Sequence, residues 1–153
     1  MPQKRVCMSK YFIDTNIFIR YYLNDDEKLS LASKKIIDDC VAGKYTSVIC
    51  STTLLEIVWV LKSFYKQPRD KIINFIEKIL EIRNLIIIDR NLTEKTFSIY
   101  KLLNIDITDS YFCALMEQEK ISEIFSFDHD FNKIKGVKRI EAMTWRSFFS
   151  PLW

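Results

Sequence analysis

Four acidic residues lie where a predicted buried strand ends or where a predicted helix begins. Asp14 and Asp128 each follow a short apolar run, and Glu56 and Asp109 begin apolar helical stretches. Carboxylates held close together repel one another and raise one another's pKa values. A fold that gathers them makes physical sense if a cation is bound there. The four acids are therefore candidate metal ligands.

The residue types indicate which cation and which reaction would fit. The candidate ligands are all carboxylate oxygens, the chain has one histidine, and its four cysteines are not clustered. Oxygen ligands favour Mg²⁺ or Mn²⁺ over a structural zinc ion. Two such ions about 3.5–4 Å apart can activate water and stabilise the leaving oxygen of a phosphodiester. Phosphodiester hydrolysis is the chemistry that this set of residues favours.

Each acid also has a structural explanation of its own. Asp14 is suited to cap the following helix, the helix dipole favours Asp109, and Asp128 is typical of a turn after a strand. Glu56 lies among seven apolar neighbours, so we expect it to be buried and its charge to need a partner. The alternative for Glu56 is a capping box with Thr53.

The elements that must position these acids alternate along the chain. Short apolar runs predict strands at Lys10–Ile13, Thr46–Cys50, Leu85–Ile88, Ile124–Phe127 and, more weakly, Val137–Ile140. Amphipathic patterns predict helices at about Thr15–Leu23, Lys28–Ala42, Thr52–Tyr65, Arg69–Ile82, Thr93–Leu103 and Asp109–Lys120, with a last short helix at Thr144–Phe149. Buried strands separated by helices imply a three-layer α/β/α fold with a central parallel sheet of four to five strands. Ligands bind such sheets at the carboxyl ends of the strands.

Composition narrows the class of protein. The chain has 153 residues and a net charge of +3, which suits one globular domain and does not mark a dedicated nucleic-acid binder. We expect residues 1–8 to be an N-terminal extension and residues 9–153 to be a single domain. Cysteines without metal-finger spacing and the lack of a long apolar run predict a cytoplasmic protein without a membrane span. The two glycines, Gly43 and Gly136, are too far apart for a nucleotide-binding loop.

The segments "FIDTNIFI", "DSYFCALM" and "SFDHDF", with Glu56 between the first two, resemble a PIN domain from about Tyr11 to Glu141. The small size most resembles the VapC-type toxins of toxin–antitoxin pairs, which are Mg²⁺- or Mn²⁺-dependent ribonucleases. The resemblance implies a PIN-like fold and makes Asp14, Glu56, Asp109 and Asp128 the catalytic metal ligands.

The resemblance also implies supporting residues. These are Thr15 and Asn16 beside the first acid, Asp130 as an occasional or outer ligand, and Ser126, where the family more often has a threonine that orients a ligand or water. The chain departs from the family pattern after Asp109, where family members usually have small residues. This chain has Ser110, Tyr111 and Phe112 there.

Partners follow from the same resemblance. It implies an RNA substrate, a homodimer, and an antitoxin whose amphipathic segment binds an apolar groove. The candidate groove residues are Phe18, Tyr21, Tyr22, Trp59 and Tyr65, for which a place in the core is the alternative. The candidate phosphate contacts are Arg20, Lys62, Lys66 and Arg69.

Three other functions compete with the toxin interpretation. One is a PIN nuclease that processes cellular RNA without an antitoxin, and another is a metal-free PIN-like scaffold that only binds protein or RNA. The third is a phosphotransfer protein. A receiver could use Asp89 after "LIII" but lacks the preceding acidic pair, and the dehalogenase type needs Asp-x-Asp where this chain has Asp14-Thr15-Asn16.

Overall fold

The computed structural model describes residues 9–141. The predicted extension at residues 1–8 and the predicted last helix at Thr144–Phe149 lie outside this range. Contacts divide the chain into two compact units, of which the first ends at Arg90 and the second begins at Asn91. Each unit is described by itself.

Between residues 9 and 90, the first unit contains three strands and four helices. In chain order they are β1 (Lys10–Phe12), α1 (Thr15–Leu23), α2 (Glu27–Val41), β2 (Thr46–Ile49), α3 (Ser51–Ser63), α4 (Arg69–Leu80) and β3 (Leu85–Ile87). The strands form a parallel sheet in the order β1-β2-β3. Lys10 lies opposite Thr46 in this sheet, and Ser47 lies opposite Leu85. Helical connections between parallel neighbours are the arrangement that the sequence pattern predicts.

The helices of the first unit pack through regular apolar faces. In α4, Ile72, Phe75, Ile76 and Ile79 are buried at the i, i+3, i+4, i+7 spacing of an amphipathic helix. Ile49, at the end of β2, is fully buried as well. Residues from both the helices and the strands therefore form the core of this unit.

One acid at a strand end has a structural role. Asp89 follows β3, and its carboxylate accepts hydrogen bonds from the Ser51 backbone N–H (2.9 Å) and from the Ser51 hydroxyl. These bonds satisfy donors in the first turn of α3, whose N-cap residue, Cys50, makes no side-chain capping bond. Asp89, the residue that a receiver domain could phosphorylate, thus anchors the start of α3.

The second unit holds the remaining elements. These are α5 (Arg90–Leu102, which begins at the last residue of the first unit), α6 (Ile107–Gln118), β4 (Glu123–Phe125), a 3-10 helix (His129–Lys133) and β5 (Lys138–Ile140). Strands β4 and β5 pair in parallel, with Ile124 opposite Arg139.

The predicted α/β class, the six α-helices within residues 9–141 and the parallel pairing are confirmed. The sheet is more divided than predicted, because the described strands form one three-stranded and one two-stranded sheet. Apolar runs predict that strands exist, but they are local features and do not record which distant strands pair with one another. Within the described residues, no helix is long and apolar enough to cross a membrane.

Candidate active site

Asp14 lies one residue beyond the paired end of β1. The Ile13 N–H donates to the Val48 carbonyl (3.0 Å), which continues the pairing of β1 with β2 up to this acid. Asp14 is the N-cap of α1, and its carboxylate accepts a hydrogen bond from the Thr15 N–H (2.8 Å). Its side chain is exposed. The capping role is therefore present, and it leaves the carboxylate accessible at the strand end.

Glu56 is joined to α1 by a side-chain hydrogen bond. The buried Thr15 hydroxyl donates to Glu56 Oε2 at 2.7 Å. Helix α3 begins at Ser51, so Thr53 lies inside its first turn and the alternative, a capping box with Glu56, does not form. The partner of Glu56 is instead a hydroxyl 41 positions away in the sequence.

The expectation that Glu56 is buried is wrong, because the side chain is exposed. Helix α3 buries Leu54, Ile57, Val58 and Leu61 but exposes a stripe formed by Thr52, Glu56 and Trp59. Trp59, 60% exposed, contributes an apolar residue to the exposed face. An exposed tryptophan is indistinguishable from a core one in a hydrophobic pattern, and this made the helix look buried on every side.

An open groove of about 460 Å³ runs between α1 and α3 in the first unit. Its polar end is formed by Asp14, Thr15, Asn16 and Glu56. The rest of its lining consists of Ile19, Arg20, Trp59, Val60, Phe64 and Tyr65. Of the predicted antitoxin-groove aromatics, Phe18 is only 1% exposed and belongs to the core, which corrects that assignment.

Three acids come together in the second unit. Asp109 lies in the first turn of α6, Asp128 follows β4, and Asp130 lies in the 3-10 helix. One carboxylate oxygen from each lies within 4.8 Å of the others. Oxygen ligands of one octahedral Mg²⁺ are about 3 Å apart when adjacent and about 4.2 Å apart when opposite, so the three carboxylates would move together by up to about 1.8 Å to hold one ion. The donor set, three hard oxygens, suits Mg²⁺ or Mn²⁺.

Local hydrogen bonds shape the loop that carries two of these acids. The Asp128 N–H donates to Ser126 Oγ (3.0 Å), and the Asp130 N–H donates to Asp128 Oδ1 (2.8 Å). Lys133 Nζ forms an ion pair with Asp130 Oδ1 at 2.6 Å. Ser126 therefore supports the backbone that presents Asp128, and Lys133 offsets part of the negative charge of the cluster.

Arg139 on β5 contacts this loop, and the sequence pattern did not identify it as a site residue. Its side chain is only 9% exposed, and its guanidinium donates to the Ser126 carbonyl (3.1 Å), Asn132 Oδ1 (3.1 Å) and Glu141 Oε1 (2.6 Å). A further contact joins Arg139 to His129 Nδ1 at 3.2 Å. The guanidinium thus links both ends of the segment that carries the two loop acids. An arginine on a strand has no distinctive sequence pattern, so no signal was available to find it.

Ser110, Tyr111 and Phe112, which follow Asp109, all lie within α6. Ser110 is fully buried, and its hydroxyl donates to the Asp106 carbonyl at 2.8 Å. Phe112 is 43% exposed. Burial, with a smaller effect from the charge of Asp109, raises the pKa of the Cys113 thiol to about 11. This cysteine stays protonated near neutral pH and acts as a core residue, so it does not alter the oxygen character of the cluster.

The structure thus brings Asp109, Asp128 and Asp130 together in the second unit, and it joins Glu56 to Thr15 beside Asp14 in the first. The assignment of these acids as metal ligands remains a prediction. The Ser126 hydroxyl accepts a hydrogen bond from the backbone of Asp128, and Asn16 lines the groove, while the supporting roles that the resemblance implies for them stay predictions.

Comparison with known proteins identifies the family. A search of curated protein sequences found no match. The family model of the PIN domain matches residues 11–137, which is most of the chain. PIN domains are generally metal-dependent nucleases, and the acidic cluster of the second unit is consistent with that activity. The chain belongs to the PIN domain family.

Proposed function

We propose that this protein is a metal-dependent endoribonuclease that hydrolyses phosphodiester bonds of RNA. The observation that supports the proposal best is the cluster of Asp109, Asp128 and Asp130 in a chain of the PIN family. Asp109 and Asp128 would hold Mg²⁺ or Mn²⁺, and the family resemblance gives Asp14 and Glu56 the same role. A bound divalent ion would lower the pKa of water and offset negative charge on the scissile phosphate.

The protein's own side chains prepare the acids for this role. The Thr15 hydroxyl donates to one oxygen of Glu56, which restricts the rotation of the carboxylate. The Asp128 N–H donates to Ser126 Oγ, which holds the backbone of this acid in a turn. Fixed ligands need little rearrangement when an ion binds, so these contacts favour a defined coordination geometry.

We also propose that the nuclease is the toxin of a type II toxin–antitoxin pair, acts in the cytoplasm and forms a homodimer. Exposed aromatic side chains in the first unit support a protein partner, since Tyr21 is 39% exposed and Trp59 is 60% exposed. An antitoxin that covered the opening of the groove, and left the carboxylates of Asp14 and Glu56 in water, would block access of RNA to these acids. Growth arrest on expression of wild type, but not of Asp109→Asn, is the expected result for a toxin. Normal growth with active enzyme would favour an RNA-processing nuclease.

The test of the nuclease proposal is cleavage of a labelled single-stranded RNA in Mn²⁺, Mg²⁺ or EDTA. Wild type is expected to cut only with a metal ion, and Asp109→Asn should lose at least 100-fold in rate, roughly the effect of removing one essential transition-state group. Asp70→Asn is the matched control, because Asp70 is also an acid in the first turn of a helix. Equal cutting by all three proteins would indicate a contaminating nuclease.

A further inference from the structure

Two large aromatic side chains in the groove are mostly exposed. Trp59 on α3 is 60% exposed and Phe64, the C-cap residue of α3, is 73% exposed, and both line the groove that ends at Asp14 and Glu56. Exposed large apolar groups cost free energy in water, so an accessible pair beside candidate catalytic acids indicates a ligand surface.

The position of Trp59 on α3 places it next to the acid. Side chains three residues apart on a helix are neighbours, with Cβ atoms about 5–6 Å apart, so Trp59 lies beside Glu56 on the exposed stripe. Across the groove, Ile19 follows Thr15 by one turn of α1, and Arg20 follows Asn16 by one turn. The groove therefore changes, within one helical turn, from carboxylates to an aromatic surface.

We infer that Trp59 stacks on a nucleobase of single-stranded RNA next to the scissile phosphate, which makes the groove a substrate-binding subsite. This inference rests on the proposed ribonuclease function. Every base presents a flat face, so stacking on an aromatic ring binds single strands with little dependence on sequence.

The charges in the groove favour a nucleotide over an apolar peptide segment. An apolar segment seated there would take the carboxylates of Asp14 and Glu56 out of water without a compensating charge. A nucleotide places its phosphate, with a divalent cation, at the acids and leaves its base for the indole ring. The guanidinium of Arg20 on α1, held by Asp25 at 2.8 Å, lies on the opposite wall of the groove and presents a second planar group.

The experiment is steady-state cleavage of a short single-stranded RNA in Mn²⁺ by wild type, Trp59→Ala and Trp59→Phe. Loss of a stacked base should raise KM by roughly 5- to 150-fold in Trp59→Ala, with a much smaller change in kcat. Trp59→Phe should recover most of the loss, because it keeps an aromatic face. Leu31→Ala is the matched control, since Leu31 on α2 is 63% exposed and does not line the groove.

A second arm replaces single nucleotides of the substrate with abasic positions. At one position beside the cut, the abasic substitution should raise KM for wild type but not for Trp59→Ala, because the two changes remove the same contact. An unchanged KM for Trp59→Ala, or equal abasic penalties in both proteins, would overturn the stacking inference while the ribonuclease function stands. Failure of wild type to cleave RNA in Mn²⁺ would overturn both. Melting temperatures serve as a folding control, and an exposed side chain predicts little change.

Discussion

The Thr15 hydroxyl donates a hydrogen bond to Glu56 Oε2 at 2.7 Å, and this bond connects the first turn of α1 to the exposed face of α3. Thr15 is buried whereas Glu56 is exposed, so the fixed hydroxyl of Thr15 orients the accessible carboxylate of Glu56. Its neighbour Asp14 accepts from the Thr15 N–H (2.8 Å). One residue therefore contacts two candidate metal ligands, through its backbone and through its side chain.

Replacement of Thr15 by valine is expected to reduce kcat/KM for RNA cleavage by about 10-fold or more. A hydrogen bond to a charged group is worth about 1.5–3 kcal/mol, and its loss lets the Glu56 carboxylate rotate. Thr15→Ser keeps the hydroxyl and should retain most of the activity. Cleavage kinetics of the three proteins give the answer, and a valine variant as active as wild type would show that the bond only joins the helices.

Asp14→Asn is expected to abolish cleavage with almost no loss of stability. Asparagine caps helices about as well as aspartate, so α1 should keep its N-cap. Removal of a negative charge from a group of acids leaves the free energy of unfolding in EDTA equal or slightly higher. Urea denaturation in EDTA and RNA cleavage in Mn²⁺ measure the two effects. Retained activity with a large loss of stability would make Asp14 a cap and nothing more.

Mn²⁺ should raise the melting temperature of wild type and of Asp70→Asn but not of Asp109→Asn. An ion at about 100 times its dissociation constant stabilises the folded state by about 2.7 kcal/mol. For a protein of this size that corresponds to a shift of roughly 5–10 °C. Thermal melts with and without EDTA provide the measurement. The cluster of Asp109, Asp128 and Asp130 would be ruled out as a metal site by equal shifts in all three proteins.

Thermal melts of Glu56→Gln test whether Glu56, in the first unit, is a metal ligand. Glu56→Gln keeps the acceptor for the Thr15 hydroxyl but removes the charge, so its metal-free stability should match wild type within about 0.5 kcal/mol. We expect its Mn²⁺-induced shift to be lost or strongly reduced. A full shift in this variant would remove Glu56 from the ligand set and leave it a substrate-facing residue of the groove.

Arg139→Lys is expected to weaken Mn²⁺ binding by about 10-fold, because residues that orient metal ligands typically contribute 10- to 100-fold to affinity. Lysine keeps the charge but cannot bridge the Ser126 carbonyl, Asn132 and Glu141 at once. Calorimetric titration of Mn²⁺ into both proteins measures the change. Loss of thermal stability with unchanged Mn²⁺ affinity would give Arg139 a role in the fold alone.

Asp89→Ala should lower the free energy of unfolding by about 1–2 kcal/mol, since it removes the acceptor for the first turn of α3. The Mn²⁺-induced rise in melting temperature should persist. Urea denaturation measures the free energy of unfolding, and thermal melts with and without Mn²⁺ measure the metal-induced shift. If the variant kept its stability and lost RNA cleavage, Asp89 would belong to the reaction rather than to the start of the helix.

The sequence by itself determined the alternation of strands and helices and the acids at their ends. Apolar runs and amphipathic periodicity arise from local side-chain order, which is why β1, α4 and α6 appear close to their predicted bounds. The motifs around Asp14, Asp109 and Asp128 identified the PIN family for the same reason, because each lies within a few consecutive residues.

Tertiary structure decided which side chains meet and which are exposed. The partner of Glu56 is Thr15, 41 positions away, and the acceptor for the first turn of α3 is Asp89, 38 positions from Ser51. Arg139 reaches back 13 positions to the Ser126 carbonyl. Such contacts depend on how elements pack, and packing depends on the whole chain. Hydrophobic periodicity records which residues are apolar but not which face turns to solvent, so Trp59 and Glu56 became visible as a surface only in the fold.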